Sequence, residues 1–135
     1  MVENITKALE DFEPALNNMF IVEFDNESFK NMSKYVESIE IPNGDARVIN
    51  IELKNGFLEG KKTVFQKIFG NQTKFSMKIH LIDKNGDKYM TFNLYSCMFM
   101  LPKFNTNILD YRECKTMDLN AKIIFSHYTI DFGEK

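Results

Sequence analysis

The stretch KFSMKIHLIDKNGDKYMTFNLYS, Lys74 to Ser96, constrains the fold more than any other part of the chain. Two runs alternate apolar and polar residues around Asn85-Gly86, and a period of two marks a strand with one face buried. Asn-Gly suits a two-residue type I′ turn, in which both central residues take positive φ. With Lys84 paired to Asp87, Leu81 falls opposite Met90, Ile79 opposite Phe92 and Met77 opposite Leu94. The reverse face then carries Lys78 opposite Asn93, His80 opposite Thr91 and Ser76 opposite Tyr95, all polar. This register predicts an antiparallel hairpin with one core face and one wet face.

The closing run, MDLNAKIIFSHYTIDF, breaks its own alternation. Met117, Leu119, Ala121, Ile123 and Phe125 fall on odd positions, and Tyr128, Ile130 and Phe132 on even ones. A one-residue slip sends every later side chain to the opposite face of a sheet. Two readings follow. Either the strand bulges near Ile124, or its second face is also buried, covered by a neighbouring subunit that protects the strand edge as well.

The other segments add short strands. MFIVEF, KYVESIEI and RVINIEL are each bounded by Asn, Gly, Asp or Ser, NGFLEGKK reads as a loop, and TVFQKIF is ambiguous between a strand and a helical turn. Near the start, Ile5, Ala8, Leu9 and Phe12 recur at helical spacing behind Asn4 as N-cap, predicting a short helix near residues 4–13 that stops at Pro14. The sum is a mainly β chain, all-β to α+β: an antiparallel sandwich or barrel of about six or seven strands with one short N-terminal helix. It parses as one domain over residues 1–135, with an extended arm at about 44–62 and a terminal strand at about 117–132.

Chemistry is looked for and not found. Seventeen Lys and Arg against nineteen Asp and Glu give a net charge of −2 with both signs scattered, which argues against a nucleic-acid footprint. Lys61, Lys62, Lys67 and Lys74 among Phe65 and Phe69 read as a solvated face or subunit contact. Cys97 and Cys114 form no CxxC, so the expectation is reduced thiols, Cys97 as buried filler and Cys114 more exposed. His80 and His127 belong to no recognisable motif, and carboxylate pairs such as Asp110 with Glu113 or Glu37 with Glu40 have no set geometry. The Asp25–Ser28 stretch reads as a hairpin turn. The expectation is therefore no catalytic, cofactor or metal site and no enzyme. The longest apolar run, Cys97 to Leu101, is too short to span a bilayer, so no membrane partner is expected. Thirteen Phe, five Tyr and eight Met either fill a core or supply an interface.

The order of these features carries a resemblance. ITKALEDFEPAL leads into NNMFIVEF, a strand ends in SIEIPNG, the arm ARVINIELKNGFLEGKK follows, and the chain closes with FMLPKFNTNILDYRECKTMDLNAKIIFSHYTIDF. This resembles the tail tube protein family of contractile-tailed phages, whose fold is shared with the type VI secretion tube protein. Pro102, the loop at Asn105 to Asn107, Asp110 with Tyr111, and Tyr128 match its close. The resemblance implies a structural subunit in six-fold rings that stack into a hollow conduit for DNA during infection. Its partners would be further copies of itself, sheath and baseplate proteins, with DNA passing without specific binding. Its place would be the virion tail, assembled in the host cytoplasm. On that reading Ile49, Ile51, Leu53 and Phe57 are candidates for contact between rings, and Tyr128, Ile130 and Phe132 for contact within a ring. Lys78, His80 and Asn93 are candidates for the lumen or the outer surface. Family members commonly carry a helix or long loop between the central strands, and often a terminal Trp; this chain has Asn85-Gly86 and no Trp. A tube-like baseplate or tail-end component is the alternative within that resemblance, and a small β-barrel binding an apolar ligand the alternative outside it.

Overall fold

The computed structural model describes residues 15–27, 29–54, 64–69, 74–105, 108–112, 114 and 117–133. The helix expected near residues 4–13 lies outside them, as do Phe57 and the rest of the arm beyond Lys54. Seven strands form one antiparallel sheet: β1 (Phe20–Phe24), β2 (Val36–Ile39), β3 (Val48–Leu53), β4 (Phe75–Ile82), β5 (Lys88–Phe104), β6 (Leu119–Ile124) and β7 (His127–Phe132). A 3-10 helix spans Lys30–Tyr35, where an extended start to KYVESIEI was expected, and α1 covers Val64–Phe69, resolving the ambiguity of TVFQKIF.

The 17-residue β5 organises the sheet. Its first part pairs with β4 and β7, and its second part with β6. The sheet is therefore two limbs joined along β5. The first limb runs β1-β4-β5-β7, and the second runs β5-β6-β3-β2. Their inner faces contribute to one apolar core, from Val22, Met77, Ile79 and Leu94 on the first limb to Ile51, Leu53, Ala121 and Ile123 on the second. Four rings stack where the limbs meet: Phe75 and Phe99 have centroids 5.0 Å apart, and Phe29 lies 5.1 Å from Phe75 and 5.3 Å from Phe99, with Phe24 behind them. Much of the aromatic load is thus spent on the core.

The broken alternation has its cause at this junction. On β5 the core-facing residues are Phe92 and Leu94, then Cys97; on the facing chain they are Ile123 and Phe125, then Tyr128. Both strands change parity at the same level. Pairing holds one register across the break, Met98 with Ile124 on one side and Tyr95 with His127 on the other, so neither strand gains a residue on the other. Ser96 takes φ 54°, and β5 there carries an extra residue relative to β4. The Ser126 amide and hydroxyl both donate to the Tyr95 carbonyl, at 3.0 and 3.1 Å, closing the gap. A positive φ at a non-glycine residue costs about 1–2 kcal/mol, whereas each large apolar side chain returned to the core contributes about 1.5–3 kcal/mol. Cys97, Phe99, Phe125 and Tyr128 all depend on the slip, so the slip wins. A second bulge, at Leu101 (φ 48°) and Pro102, shifts β5 against β6. It accommodates a proline, which has no amide hydrogen for the ladder. Pro102 thus sits inside β5.

The hairpin register holds as expected: Leu81 faces Met90, Ile79 Phe92, Met77 Leu94, Lys78 Asn93 and His80 Thr91. The turn differs. Asn85 does not have positive φ, Gly86 has φ 84°, and the Gly86 amide donates to the Asp83 carbonyl at 3.0 Å. This is a three-residue loop, Lys84 to Gly86, with glycine in the left-handed position of a bulge. The Asp83 carboxylate accepts from the amides of Asn85 and Asp87, both at 2.9 Å, which favours the tighter path at Asn85. Replacing Gly86 by Val is expected to lower stability by about 1–3 kcal/mol, because a β-branched residue resists that φ although space for its Cβ is open. Urea unfolding checks this, and an unchanged midpoint would contradict it.

Candidate assembly surfaces

The outer face of the first limb is mostly polar, with Ile21 of β1, 42% exposed, as its apolar exception. The pairings put Glu23 beside Lys78, Lys78 beside Asn93, and Asn93 beside Thr129, a row across all four strands. A second row is Ile21, His80, Thr91 and Asp131. Asn93 donates through Nδ2 to Asp131 Oδ2 at 2.8 Å and to Thr129 Oγ1 at 3.3 Å, and Tyr95 stacks on His127 with centroids 4.6 Å apart. A concavity of about 700 Å³ opens on this face, with Glu23, Asp25, Lys30, Lys78, Asn93 and Asp131 among its walls.

Lys78 is exposed on this face, but His80 and Asn93 are only 4% and 6% exposed, which corrects the expectation of a wet side to the hairpin. The cover comes from strands remote in sequence, with Glu23 of β1 over His80 and Asp131 of β7 over Asn93. His80 Nδ1 meets Thr91 Oγ1 at 2.8 Å. Its Nε2 lies 3.2 Å from Glu23 Oε2 without the alignment of a hydrogen bond, so the contact is electrostatic. The polar contact with His80, helped by Lys88 and Lys78, holds the Glu23 carboxyl below its usual range against the opposing effect of burial.

The sequence candidates for contact between rings divide. Ile49, Ile51 and Leu53 are at most 2% exposed on the inner face of β3, which is paired on both sides by β6 and β2. They fill the subunit's own core and present no side-chain atoms to another subunit, so the arm does not begin at β3. Their alternation, read as an arm, equally describes a central strand. Phe57 lies outside the described residues. The candidates for contact within a ring lie on β7, which among the described residues pairs only with β5. Tyr128, Ile130 and Phe132 face the same way as Leu94, Phe92 and Met90, so the slip restores their direction. Their burial declines along the strand: Tyr128 is half-buried, its hydroxyl donating to the Gly44 carbonyl at 2.9 Å, while Ile130 is 38% and Phe132 72% exposed.

Other apolar groups missed at the sequence level are also exposed. Val48 and Ile124 face each other on the outer side of the second limb beside Met98. Leu101, Ile108, Leu109 and Tyr111 stand out around the loop joining β5 to β6. Cys97 is fully buried and its thiol is pushed up to about 12 by burial, consistent with filler. Among the described residues no three His, Cys, Asp or Glu side chains gather to hold a metal ion.

Because the Glu23 pKa is depressed in the folded chain, its charged form adds stability above the unfolded value and that contribution is lost as pH falls through the folded one. Glu23→Gln is expected to be less stable than the native chain at about pH 7, with the difference shrinking as pH falls below the ordinary carboxylate range and through the folded value. Urea midpoints of both proteins across that range test it; a constant difference would place the effect in packing instead.

No family model matches the sequence, and no curated protein matches it. Solved structures do. A chain of the PVC sheath-tube complex, an extracellular contractile injection system in its extended state, superposes with a TM-score of 0.64 at 16% identity, over 94% of this chain and 97% of that one. A chain of the anti-feeding prophage tube-terminating cap gives 0.64 at 16% identity, over 90% and 93%. Hcp1 from Flavobacterium johnsoniae gives 0.53 at 13% identity, over 87% and 98%. The creased seven-stranded sheet is thus the tube-protein fold found in contractile injection systems and in Hcp.

Proposed function

We propose that the chain is the structural subunit of a contractile phage tail tube. Subunits close into six-fold rings, and the rings stack into a hollow conduit for DNA. The observation that carries this reading is the first limb: a four-stranded sheet, polar across its outer face except at Ile21, whose terminal strands β1 and β7 each pair on one side only among the described residues. Unpaired sheet edges recruit other strands, and a repeated edge-to-edge contact between identical subunits closes a ring when its rotation closes. A ring built this way turns one face of the first limb inward. The polar face carrying Lys78, His80 and Asn93 is the one suited to line a channel, because the opposite face is the core. The likeness to chains of sheath-tube and cap assemblies, over nine-tenths or more of this chain, supports the same reading.

The mechanism is passive. Binding to DNA strengthens with each phosphate neutralised by Lys or Arg. Here Lys78 is flanked by Glu23, and Asp131 holds Asn93 within a hydrogen-bonded network with Thr129. Such a lining hydrates a polyanion without gripping it. The outer side of the second limb, with Val48 and Ile124, then faces outward, open to sheath and baseplate. Assembly takes place in the host cytoplasm, and Phe57 remains a candidate for contact between rings. A tube-like cap or baseplate component is the second reading. A chain of the cap superposes as closely as the sheath-tube chain, with a TM-score of 0.64, and a chain of a baseplate nearly so, at 0.62.

Within a ring, the half-exposed end of β7 is the surface to be covered. The double change Ile130→Asp and Phe132→Asp is expected to leave a folded subunit that no longer forms rings, since each carboxylate would be carried into an apolar contact. Sedimentation reports assembly and far-UV circular dichroism reports folding. Unchanged rings would refute the interface, and lost secondary structure would assign both residues to the core.

A further inference from the structure

The two ends of β5 carry surfaces of matching chemistry. Beside its first residues, a groove of about 280 Å³ opens between the limbs, walled by Leu16, Phe20, Ile39, Ile41, Ile79 and Leu81. Beyond its last residues, the loop to β6 holds Leu109, 84% exposed, and Tyr111, fully exposed. Asp110 lies between them and is joined to Arg112 by two contacts of 3.1 Å, while its carboxylate also accepts from the Arg112 amide at 2.9 Å. This local ring of contacts pairs the one acid with the one base among residues 108–112. The tip therefore presents two large side chains and no net charge, as an apolar groove requires.

We infer that the tip of the β5–β6 loop of one subunit, Leu109 and Tyr111, seats in the groove at the other end of β5 in a subunit of the next ring. The occupant is a second copy of this chain. A loop cannot enter the groove of its own subunit, because 17 residues of strand separate the two. A contact between two different patches is head-to-tail, and when it does not close on itself it propagates along an axis. Loop and groove at opposite ends of one strand have that arrangement. The volume of the groove is near the lower limit of pockets that enclose small molecules, room for a few side-chain groups and not for a helix. The tip is held by its own ion pair before contact, so little ordering is lost on docking. This contact rests on the ring reading and names how rings stack.

The test uses the full chain and two substitutions at exposed positions, Leu109→Asp and Ile41→Lys, followed by electron microscopy and sedimentation. Each single variant is expected to form rings, with the concentration needed for stacking raised about a hundredfold. The double variant in one chain is expected to stack again, because every ring junction then sets a carboxylate against an ammonium. That rescue has no intramolecular explanation, since the two positions are at opposite ends of β5. Single variants that stack like the native protein overturn the contact while leaving the ring reading intact. Ile41→Lys lowering the melting temperature of the isolated subunit, with Leu109→Asp still stacking, shows a groove filled within the subunit and overturns it too. A native chain that forms no rings overturns the ring reading and this contact together.

Discussion

The rest of the structure depends on the slip shared by two neighbouring strands at Ser96 and Ser126. Without it, the odd-numbered apolar residues of β6 and the even-numbered ones of β7 would lie on opposite faces of one sheet, and β5 would have the same conflict. One strained residue on β5 and two hydrogen bonds to the Tyr95 carbonyl resolve both at once. The strain is about 1–2 kcal/mol, small against the burial it permits. The slip also lets one long strand serve two limbs, so the molecule has a core between its limbs and a separate polar face outside the first.

That separation suits the fold to the conduit proposed above. A sheet whose inner face is committed to the core has only its outer face and its edges left for assembly. Here the outer face is polar but for Ile21, with Asn93 hydrogen-bonded to Asp131 and His80 held by Thr91 and by its contact with Glu23. The edge β7 keeps an apolar end. In the proposed ring, association through the edge and passage along the face use different surfaces, and neither competes with the core.

Legibility in the sequence followed the range of the interactions. The β4–β5 register was readable because turn and alternation agree over adjacent segments. The turn type was not, because the Asp83 side chain captures two amides and selects a three-residue loop. The 3-10 helix left a trace: Phe29, Met32 and Tyr35, all buried, recur every three residues, the period of that helix. A search tuned to periods of two and 3.6 passes over it. The burial of His80 and Asn93 was illegible, since their cover arrives from strands far away in sequence. Ile49, Ile51 and Leu53 show the reverse case. Their alternation was visible, but one sequence does not tell whether a strand's apolar face meets its own subunit or another.

The central claim is that the first limb closes rings edge to edge with its polar face inward. Cryo-electron microscopy of the assembled native protein tests it most directly. The account predicts six-fold rings in which β7 of one subunit adjoins β1 of the next, with Lys78, Asn93 and Thr129 on the channel wall. Rings with that row of residues on the outside, or a particle that remains a single subunit at all concentrations, would contradict it.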